Sequence, residues 1–277
     1  MNNTFSNNLL RLRKERKLTQ EKLAEALGVS FQAVSKWETA QSYPDIQLLP
    51  RLAELLATSI DSLLGYVPTK KFVTDYENRY KSDGFYWGVE PNRMCHKVMS
   101  LKPPTSPLRL LDMCCGEGQD AVFFANNGYI VSAFDAAEAG LDKGRKLAEL
   151  NGCTVSFFTA DVRDFIPDDE FDIIYTSSGL LYHPPEKRKS MMDAYKKKTA
   201  TGGIHAMNTF VDKPFIPRAP DSEESEYYWR SGELFSYYSD WYFRATLTEF
   251  IFDCTSSGTP HKHCMDMIIA EAGVKTL

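Results

Sequence analysis

The sequence predicts an all-α unit at the N-terminus followed by an α/β unit with a mostly parallel sheet. Residues 18–38 carry two short amphipathic helices separated by a glycine, whereas residues 109–135 indicate a strand, a glycine-rich turn, a helix and a second strand. The chain of 277 residues also exceeds a usual single domain of roughly 100 to 200 residues. A polar, proline-containing segment separates the two patterns, so we expect domains at 1–68 and 69–277.

The charged residues are distributed differently in these two parts of the chain. Residues 1–71 hold ten basic against seven acidic side chains, whereas the remainder holds 22 against 30. No signal peptide is visible, and no apolar run approaches the roughly 20 residues of a membrane span. The six cysteines show no Cys-x-x-Cys pairing. We therefore expect a cytoplasmic protein without a membrane partner, a disulfide or a structural metal.

Capping residues define the first unit. Thr19 and Ser30 stand at N-cap positions of two successive helices, and Gly28 permits a tight turn between them. Val34 and Trp37 form the apolar face of the second helix. This spacing predicts a helix-turn-helix.

The first unit resembles the Cro/repressor (XRE-type) helix-turn-helix domains over residues 5–66. In such domains the second helix enters the major groove of double-stranded DNA. The resemblance implies that Phe31, Gln32 and Lys36 contact base edges, and that Gln20 holds a phosphate. The modest net charge of +3 on this unit leaves a helical protein-interaction module as the alternative. We expect a homodimer, because it would double that charge and match paired half-sites.

The strand–turn–helix–strand segment predicts a nucleoside-cofactor site. Asp112 precedes the turn, Gly116 and Gly118 form it, and Asp135 ends the second strand. These glycines and Ala121 also satisfy the dinucleotide-binding spacing, so spacing alone leaves a nicotinamide or flavin cofactor open. Asp112 would repel a pyrophosphate at this helix N-terminus, but it suits the cationic sulfonium and ammonium of S-adenosylmethionine.

A third acid supports the same cofactor. Residues 155–161 are predicted as a third strand ending at Asp161, which would accept the adenine amino group, while Asp135 would bind the ribose hydroxyls. The alternative is that each acid only caps the helix that follows it.

Residues 76–277 resemble the class I methyltransferases, and most of all the tellurite-resistance methyltransferases of the TehB type. The family motif Asp-x-Gly-Cys-Gly-x-Gly stands here at 112–118, and similar stretches precede strand five at 201–203 and form strand four at 171–174. The resemblance implies a Rossmann-like sheet of seven mostly parallel strands with a C-terminal antiparallel hairpin.

The resemblance also implies which residues bind the cofactor: Asp112, Cys114, Gly116, Gly118, Asp135, Ala136, Asp161, Val162 and Ser177. Cys114 replaces the first glycine of the motif. Its side chain would project where the methionine part of the cofactor usually meets bare backbone, which would weaken or alter the site.

The acceptor is expected beyond strand four, because ligands collect at the carboxyl edge of open α/β sheets. His183 is a candidate base or a plain loop residue. Arg218, in the long segment 212–242, is a candidate partner for an oxyanion acceptor or a solvated surface charge. Methyl transfer to a soft chalcogen depends mainly on alignment in a dry pocket, so no catalytic residue is assigned.

Two further segments carry alternatives. Tyr80, Tyr86 and Trp87 either form a lid over the cofactor or pack the preceding helix on the sheet. His261, His263 and Cys264 lie close together in the sequence, as metal ligands do. Strand alternation would separate the two histidines from Cys264, so we predict strand seven here and no metal site.

We therefore predict an S-adenosylmethionine-dependent methyltransferase for a small acceptor (tellurite, selenite or a thiol), fused to a sequence-specific DNA-binding domain. The alternative is a transcriptional regulator whose methyltransferase domain is a non-catalytic cofactor or ligand sensor. Methylation of DNA itself is disfavoured, because no Asn/Asp-Pro-Pro-Tyr/Phe motif follows strand four.

Overall fold

The computed structural model describes residues 4–58, 60–65, 75–220, 222–223, 225–255 and 259–273. The chain divides into two compact units, Met1–Lys71 and Phe72–Leu277. The expected boundary at Pro68 and the glycine of the expected last hairpin turn, Gly258, lie outside the described residues.

The first unit is helical, and its caps are those that the sequence predicts. Its helices are α1 (Thr4–Glu15), α2 (Gln20–Leu27), α3 (Phe31–Glu38), α4 (Leu49–Leu55) and α5 (Ile60–Leu64). The side chain of Thr19 accepts a hydrogen bond from the backbone N–H of Lys22, and Ser30 does the same for Ala33. Between them Gly28 adopts the left-handed conformation with φ 70°. The predicted helix-turn-helix is confirmed.

One apolar core joins the helices of the first unit. Its buried side chains are Phe5, Leu9, Leu23, Ala24, Leu27, Val34, Trp37, Leu52, Leu56 and Leu63. Val34 and Trp37 of α3 thus face inward, and the opposite side of α3 is left for solvent or a partner.

The second unit is an α/β sandwich. Its helices are α6 (Asp75–Arg79), α7 (Arg93–Leu101), α8 (Gln119–Asn126), α9 (Glu138–Leu150), α10 (Pro185–Lys197) and α11 (Glu233–Ser236). Its strands are β1 (Arg109–Met113), β2 (Ile130–Asp135), β3 (Val155–Thr159), β4 (Phe171–Ser177), β5 (Thr199–Phe210), β6 (Tyr242–Cys254) and β7 (His261–Glu271).

The seven strands form one sheet in the order β3-β2-β1-β4-β5-β7-β6. All pairs from β3 to β5 are parallel, and β7 is antiparallel to both of its neighbours. Helices α7 to α9 cover one face and α10 covers the other. The predicted mostly parallel sheet with a C-terminal antiparallel hairpin is confirmed. Strand order reverses between β1 and β4, where open α/β sheets bind ligands.

Strand β5 begins earlier than the sequence indicates. The Thr201-Gly202-Gly203 stretch, expected to precede the strand, lies inside it. Gly202 adopts φ 70°, and the register with β4 shifts between Phe171 and Ile173. The glycines therefore make an irregularity within the strand rather than its start. In the parts of the chain that the structure describes, no helix is long and apolar enough to cross a membrane.

Replacing Ala40 by glycine is expected to stabilise the first unit. Ala40 follows α3 with φ 58°, a conformation that costs a non-glycine residue about 1–2 kcal/mol. Glycine loses about 0.5–1 kcal/mol more backbone entropy on folding, so the net gain should be about 0.5–1 kcal/mol. Thermal unfolding followed by circular dichroism measures it. Ala26→Gly, within α2, is the control and should lose about 1 kcal/mol; a lower melting temperature for Ala40→Gly would contradict this account.

Candidate functional site

A cavity of about 330 Å³ lies at the carboxyl edge of the sheet, where strand order reverses. The ends of β1, β2 and β4 and the residues that follow β3 form its inner wall. Eight of the nine residues predicted to bind a cofactor line it: Asp112, Cys114, Gly116, Asp135, Ala136, Asp161, Val162 and Ser177.

The ninth, Gly118, serves packing instead. It adopts φ 82° at the start of α8, and a Cβ there would lie 2.9 Å from the Cα of Gly144 and 3.0 Å from the ring of Phe157. A glycine at this position therefore lets α8 approach α9 and β3 closely.

Buried carboxylates dominate the inner wall. Asp112 is 1% exposed and Asp120 is 5% exposed. Burial raises the pKa of Asp112 well above its usual range, and the neighbouring charges of Asp120 and Asp135 raise it further. Burial also raises the pKa of Asp135, although backbone N–H groups of Ala137 and Gly116 oppose the shift by donating to it, each over 2.9 Å.

The carboxylate of Asp112 is incompletely satisfied. Its Oδ2 is buried and has no hydrogen-bond partner among the described residues. Asp120, by contrast, accepts hydrogen bonds from the backbone of Asn92 and the hydroxyl of Tyr175, both over 2.7 Å. A buried acceptor without a partner costs about 1–3 kcal/mol, so this oxygen marks a position where a ligand would be stabilised.

The side chains that line the cavity are acidic rather than basic. Among its described lining residues none is lysine or arginine, whereas six are carboxylic acids: Glu90, Asp112, Asp120, Asp135, Asp161 and Glu226. Such a lining repels a phosphate or an oxyanion and attracts a cation.

Asp161 lines the cavity but is already paired. The guanidinium of Arg163 donates to both of its oxygens, and the backbone N–H of Arg163 donates over 3.0 Å. These bonds lower the pKa of Asp161 against the effect of burial. No sequence pattern indicated this pairing, which leaves fewer acceptor sites on Asp161 for an adenine amino group.

Cys114 sits in the glycine motif with φ 57°. A Cβ added to Gly179, beyond β4, would lie 2.7 Å from the Cβ of Cys114 and 2.9 Å from its Sγ. The missing side chain at Gly179 therefore accommodates the cysteine that replaces the motif glycine. The thiol still lines the cavity, and burial keeps its pKa well above the usual value.

Aromatic residues cover the glycine turn. The hydroxyl of Tyr80 would lie 2.9 Å from a Cβ on Gly116, and the indole N–H of Trp87 donates to that hydroxyl over 3.0 Å. The backbone N–H of Trp87 donates to the buried Glu117, which also pairs with Lys143 over 2.8 Å. Tyr80 and Trp87 line the cavity, so the geometry favours the lid over simple helix packing for these two rings.

The two candidate catalytic residues do not line the cavity. His183 is buried, and its Nε2 donates to the carbonyl of Val162 over 2.8 Å. Burial lowers the pKa of His183 to about 4, so the ring is neutral at physiological pH. Arg218 stacks 4.2 Å from the ring centre of Tyr228 and donates to the carbonyl of Glu226. Both residues thus hold cavity walls in place.

The long segment after β5 is anchored by Arg188, which the sequence analysis missed. Arg188 is 2% exposed, donates to both oxygens of Glu233 over 2.9 Å, and stacks 4.2 Å from the ring of Trp229. Ala219, Ser222, Glu226 and Tyr228 of this segment line the outer side of the cavity. Because Arg188 lies in a polar helix 24 residues before that segment begins at Asp212, no local pattern indicated its role.

In the first unit, the predicted base-contacting residues share an exposed face. Phe31, Gln32 and Lys36 are all exposed on α3. Gln20 was predicted to hold a DNA phosphate. In the structure its side-chain amide instead donates a hydrogen bond to Glu38 over 2.7 Å. Glu38 also accepts from the guanidinium of Arg13, and these hydrogen bonds lower its pKa despite burial.

A double-mutant cycle tests the accommodation of Cys114. Gly179→Ala should cost about 1–3 kcal/mol through overpacking against Cys114 and the hydroxyl of Thr176. In a Cys114→Gly background the cost should fall by about 0.5 kcal/mol or more, because two of the three close contacts disappear. Urea unfolding gives the values. Gly203→Ala is the control, because a Cβ there is also crowded but not by Cys114; its cost in unfolding free energy should be the same with and without Cys114→Gly. An equal cost of Gly179→Ala in both backgrounds would refute the contact.

Comparison with known families separates the two units in the same way. Residues 9–63 match the helix-turn-helix family, and residues 110–203 match a methyltransferase domain family. This chain is 33% identical over 79 residues to the "Uncharacterized HTH-type transcriptional regulator YqaE" of Bacillus subtilis, covering 28% of this chain and 68% of the relative. It is 43% identical over 60 residues to the "HTH-type transcriptional activator BcrR" of Enterococcus faecalis, covering 22% and 29%.

The second unit is similar to the "Probable S-adenosyl-L-methionine-dependent methyltransferase TehB" of Haemophilus influenzae. Identity is 24% over 138 residues, which cover 50% of this chain and 47% of TehB. The crystal structure of TehB superposes with a TM-score of 0.58 and 19% identity, over 71% of this chain and 65% of that chain. This chain spans less than half the length of BcrR and of TehB. Because it is 33% identical to YqaE over two thirds of that relative, this chain belongs to the helix-turn-helix proteins through its N-terminal unit, and residues 110–203 of its C-terminal unit match a methyltransferase domain.

Proposed function

We propose that this protein transfers a methyl group from S-adenosylmethionine to a small thiol, and that its N-terminal domain, residues 1–68, binds double-stranded DNA. One observation carries the cofactor proposal: a cavity at the sheet's switch point is lined by six carboxylic acids and, among the described residues, by no lysine or arginine. A cationic ligand is the natural counterpart of such a lining, and a dinucleotide pyrophosphate is not.

The unpartnered oxygen of Asp112 fits a cationic cofactor. Asp112 would face the positively charged methionine part, and Asp135 would bind the ribose, held in place by Gly116 and Ala137. When bound, S-adenosylmethionine supplies an electrophilic methyl group attached to a sulfonium. Tyr80 and Trp87 would exclude water above the turn, which strengthens these electrostatic contacts.

The charge of the cavity also bears on the acceptor. Tellurite and selenite are anions, and the six acids would repel them. Arg218, the expected oxyanion partner, is held against Tyr228 and does not line the cavity. Of the acceptors that the sequence left open, a thiol enters as a neutral molecule and is therefore favoured.

The sensor alternative rested on Cys114 weakening or altering the cofactor site. Its Cβ and Sγ lie against the position where Gly179 has no side chain, which supports a cavity still able to take the cofactor. Turnover of a thiol separates the two functions, because a sensor would bind cofactor and leave the thiol unmethylated.

DNA binding is supported by the exposed face of α3. Gln32 offers an amide for adenine, Lys36 an ammonium for guanine, and Phe31, which is 42% exposed, a ring for a thymine methyl. A homodimer would place two such helices in successive major grooves of the DNA.

Calorimetric titration tests the cofactor site. S-adenosylmethionine should bind the wild type, and Asp112→Asn should weaken binding about 10- to 100-fold, the worth of a charge-assisted contact of about 1.5–3 kcal/mol. Asp135→Ala should weaken it as much. The control is Asp193→Asn, which removes an exposed acid of α10 paired with Lys189. Thermal unfolding checks that each variant is folded; unchanged affinity in folded Asp112→Asn would contradict the proposal.

Selection from a random 20-base-pair duplex library tests the DNA proposal. We expect a two-fold symmetric consensus, with Gln32→Ala and Lys36→Ala each losing about 10-fold or more in affinity, since one good base contact is worth about 1–3 kcal/mol. Lys189→Ala, which removes an exposed side chain of α10 in the second unit, is the control. Failure to enrich any sequence, or full affinity in both α3 variants, would support the protein-interaction alternative instead.

A further inference from the structure

Three side chains of metal-ligating types, Cys254, His261 and His263, lie close together, and two of them, Cys254 and His263, line the cavity. Cys254 ends β6 and lies directly opposite His261 of β7, and Phe252 lies opposite His263. The Sγ of Cys254 and one ring nitrogen of each histidine all lie within 4.8 Å of one another. Cys264, which follows the histidines in sequence, is buried and is not part of this cluster. The cysteine of the cluster is therefore Cys254 from β6, not Cys264, which follows the histidines in β7.

The histidine rings are oriented as ligands are. The Nδ1 of His261 lies 2.8 Å from the carbonyl oxygen of Thr259. A carbonyl can only accept, so Nδ1 carries the hydrogen and the lone pair of the neutral ring is on Nε2. Metal-binding histidines are held by the same kind of contact to a backbone carbonyl.

The second ring is fixed by stacking. His263 lies parallel to Phe210, with centroids 4.1 Å apart and an angle of 8° between the ring planes. Its Nε2 lies 3.0 Å from the Nε2 of His261 and donates a hydrogen bond to it, since the lone pair of His261 is on Nε2. A metal ion between the two nitrogens would replace this hydrogen bond, with the hydrogen of the neutral His263 ring then on Nδ1. Two nitrogens that bind one tetrahedral zinc ion at about 2.0–2.1 Å are separated by about 3.3 Å, so the rings need to move by only a few tenths of an ångström.

We propose that Cys254, His261 and His263 bind one Zn²⁺ ion, with its fourth coordination position open to the cavity. Two imidazoles and one thiolate form a borderline-soft ligand set that suits zinc. His263 and Cys254 line the cavity together with Phe252 and Met265, so a ligand in the fourth position would reach the ion from the cavity side. Three protein ligands and one open position are typical of zinc that binds a substrate.

The open position takes the acceptor thiol as a thiolate. Coordination breaks the S–H bond, the sulfur keeps the electron pair that binds the metal, and the proton leaves to solvent. The ion would supply the positive charge that a thiolate requires in a cavity whose described lining has no lysine or arginine. This use of the site rests on the proposed methyl transfer, whereas zinc binding does not.

Metal content tests the site directly. The full-length protein, loaded with Zn²⁺ and dialysed against metal-free buffer, should retain one ion per chain. His263→Ala and Cys254→Ser should bind zinc about 100-fold more weakly or worse, since loss of an outer-sphere partner alone costs 10- to 100-fold. The matched control is Cys264→Ala, which removes the neighbouring cysteine and should retain zinc. Circular dichroism verifies folding, and zinc retained in both ligand variants would overturn the proposal.

Cobalt substitution identifies the ligands and the open position. The Co²⁺ protein should show a near-ultraviolet sulfur-to-metal band that is lost in Cys254→Ser and kept in Cys264→Ala. Adding 2-mercaptoethanol should strengthen this band and change the visible spectrum, and an unchanged spectrum would exclude an open position for a thiol. Wild-type protein that binds S-adenosylmethionine but no zinc contradicts this inference alone, whereas wild-type protein that binds zinc but no S-adenosylmethionine contradicts the proposed function.

Discussion

The buried carboxylate of Asp112 is the constraint around which the second unit is arranged. It is the next-to-last residue of β1, beside the reversal of strand order. It is 1% exposed, and one of its oxygens lacks a partner among the described residues. Neighbouring acids raise the cost of its charge, and no described basic residue of the cavity offsets it. A fold keeps such a group when a ligand satisfies it, and this explains why a site rather than a core lies here.

The surrounding elements keep this site enclosed. On one side Glu117 and Lys143 hold the segment that carries Trp87, and Tyr80 lies over the turn. On the other side the buried Arg188 binds Glu233 and so fixes the segment after β5 that supplies the outer wall. Asp112 lies between these two walls and is almost fully buried. In such an enclosed space each charge interaction is stronger than it would be in bulk solvent.

Local patterns predicted most of the fold, because helix caps and strand ends are determined by residues adjacent in the sequence. Thr19 and Ser30 are examples. Contacts between distant residues were not predictable in the same way. The glycine that makes room for Cys114 lies 65 residues away at Gly179, and the partner of Gln20 proved to be Glu38, which itself pairs with a distant arginine. The grouping of Cys254 with His261 and His263 depends on the register of the β6–β7 hairpin, which a single sequence does not specify.

The central claim is that a cationic cofactor satisfies Asp112, and the number of protons exchanged on binding tests it most directly. Burial raises the pKa of Asp112 in the free protein, and a neighbouring cation favours the charged carboxylate, so binding should release protons and affinity should rise with pH. Calorimetry of S-adenosylmethionine binding in two buffers with different ionisation enthalpies measures this number. Release of up to about one proton, lost in Asp112→Asn, is the predicted result. Binding with no proton exchange, or with proton uptake, would contradict the account.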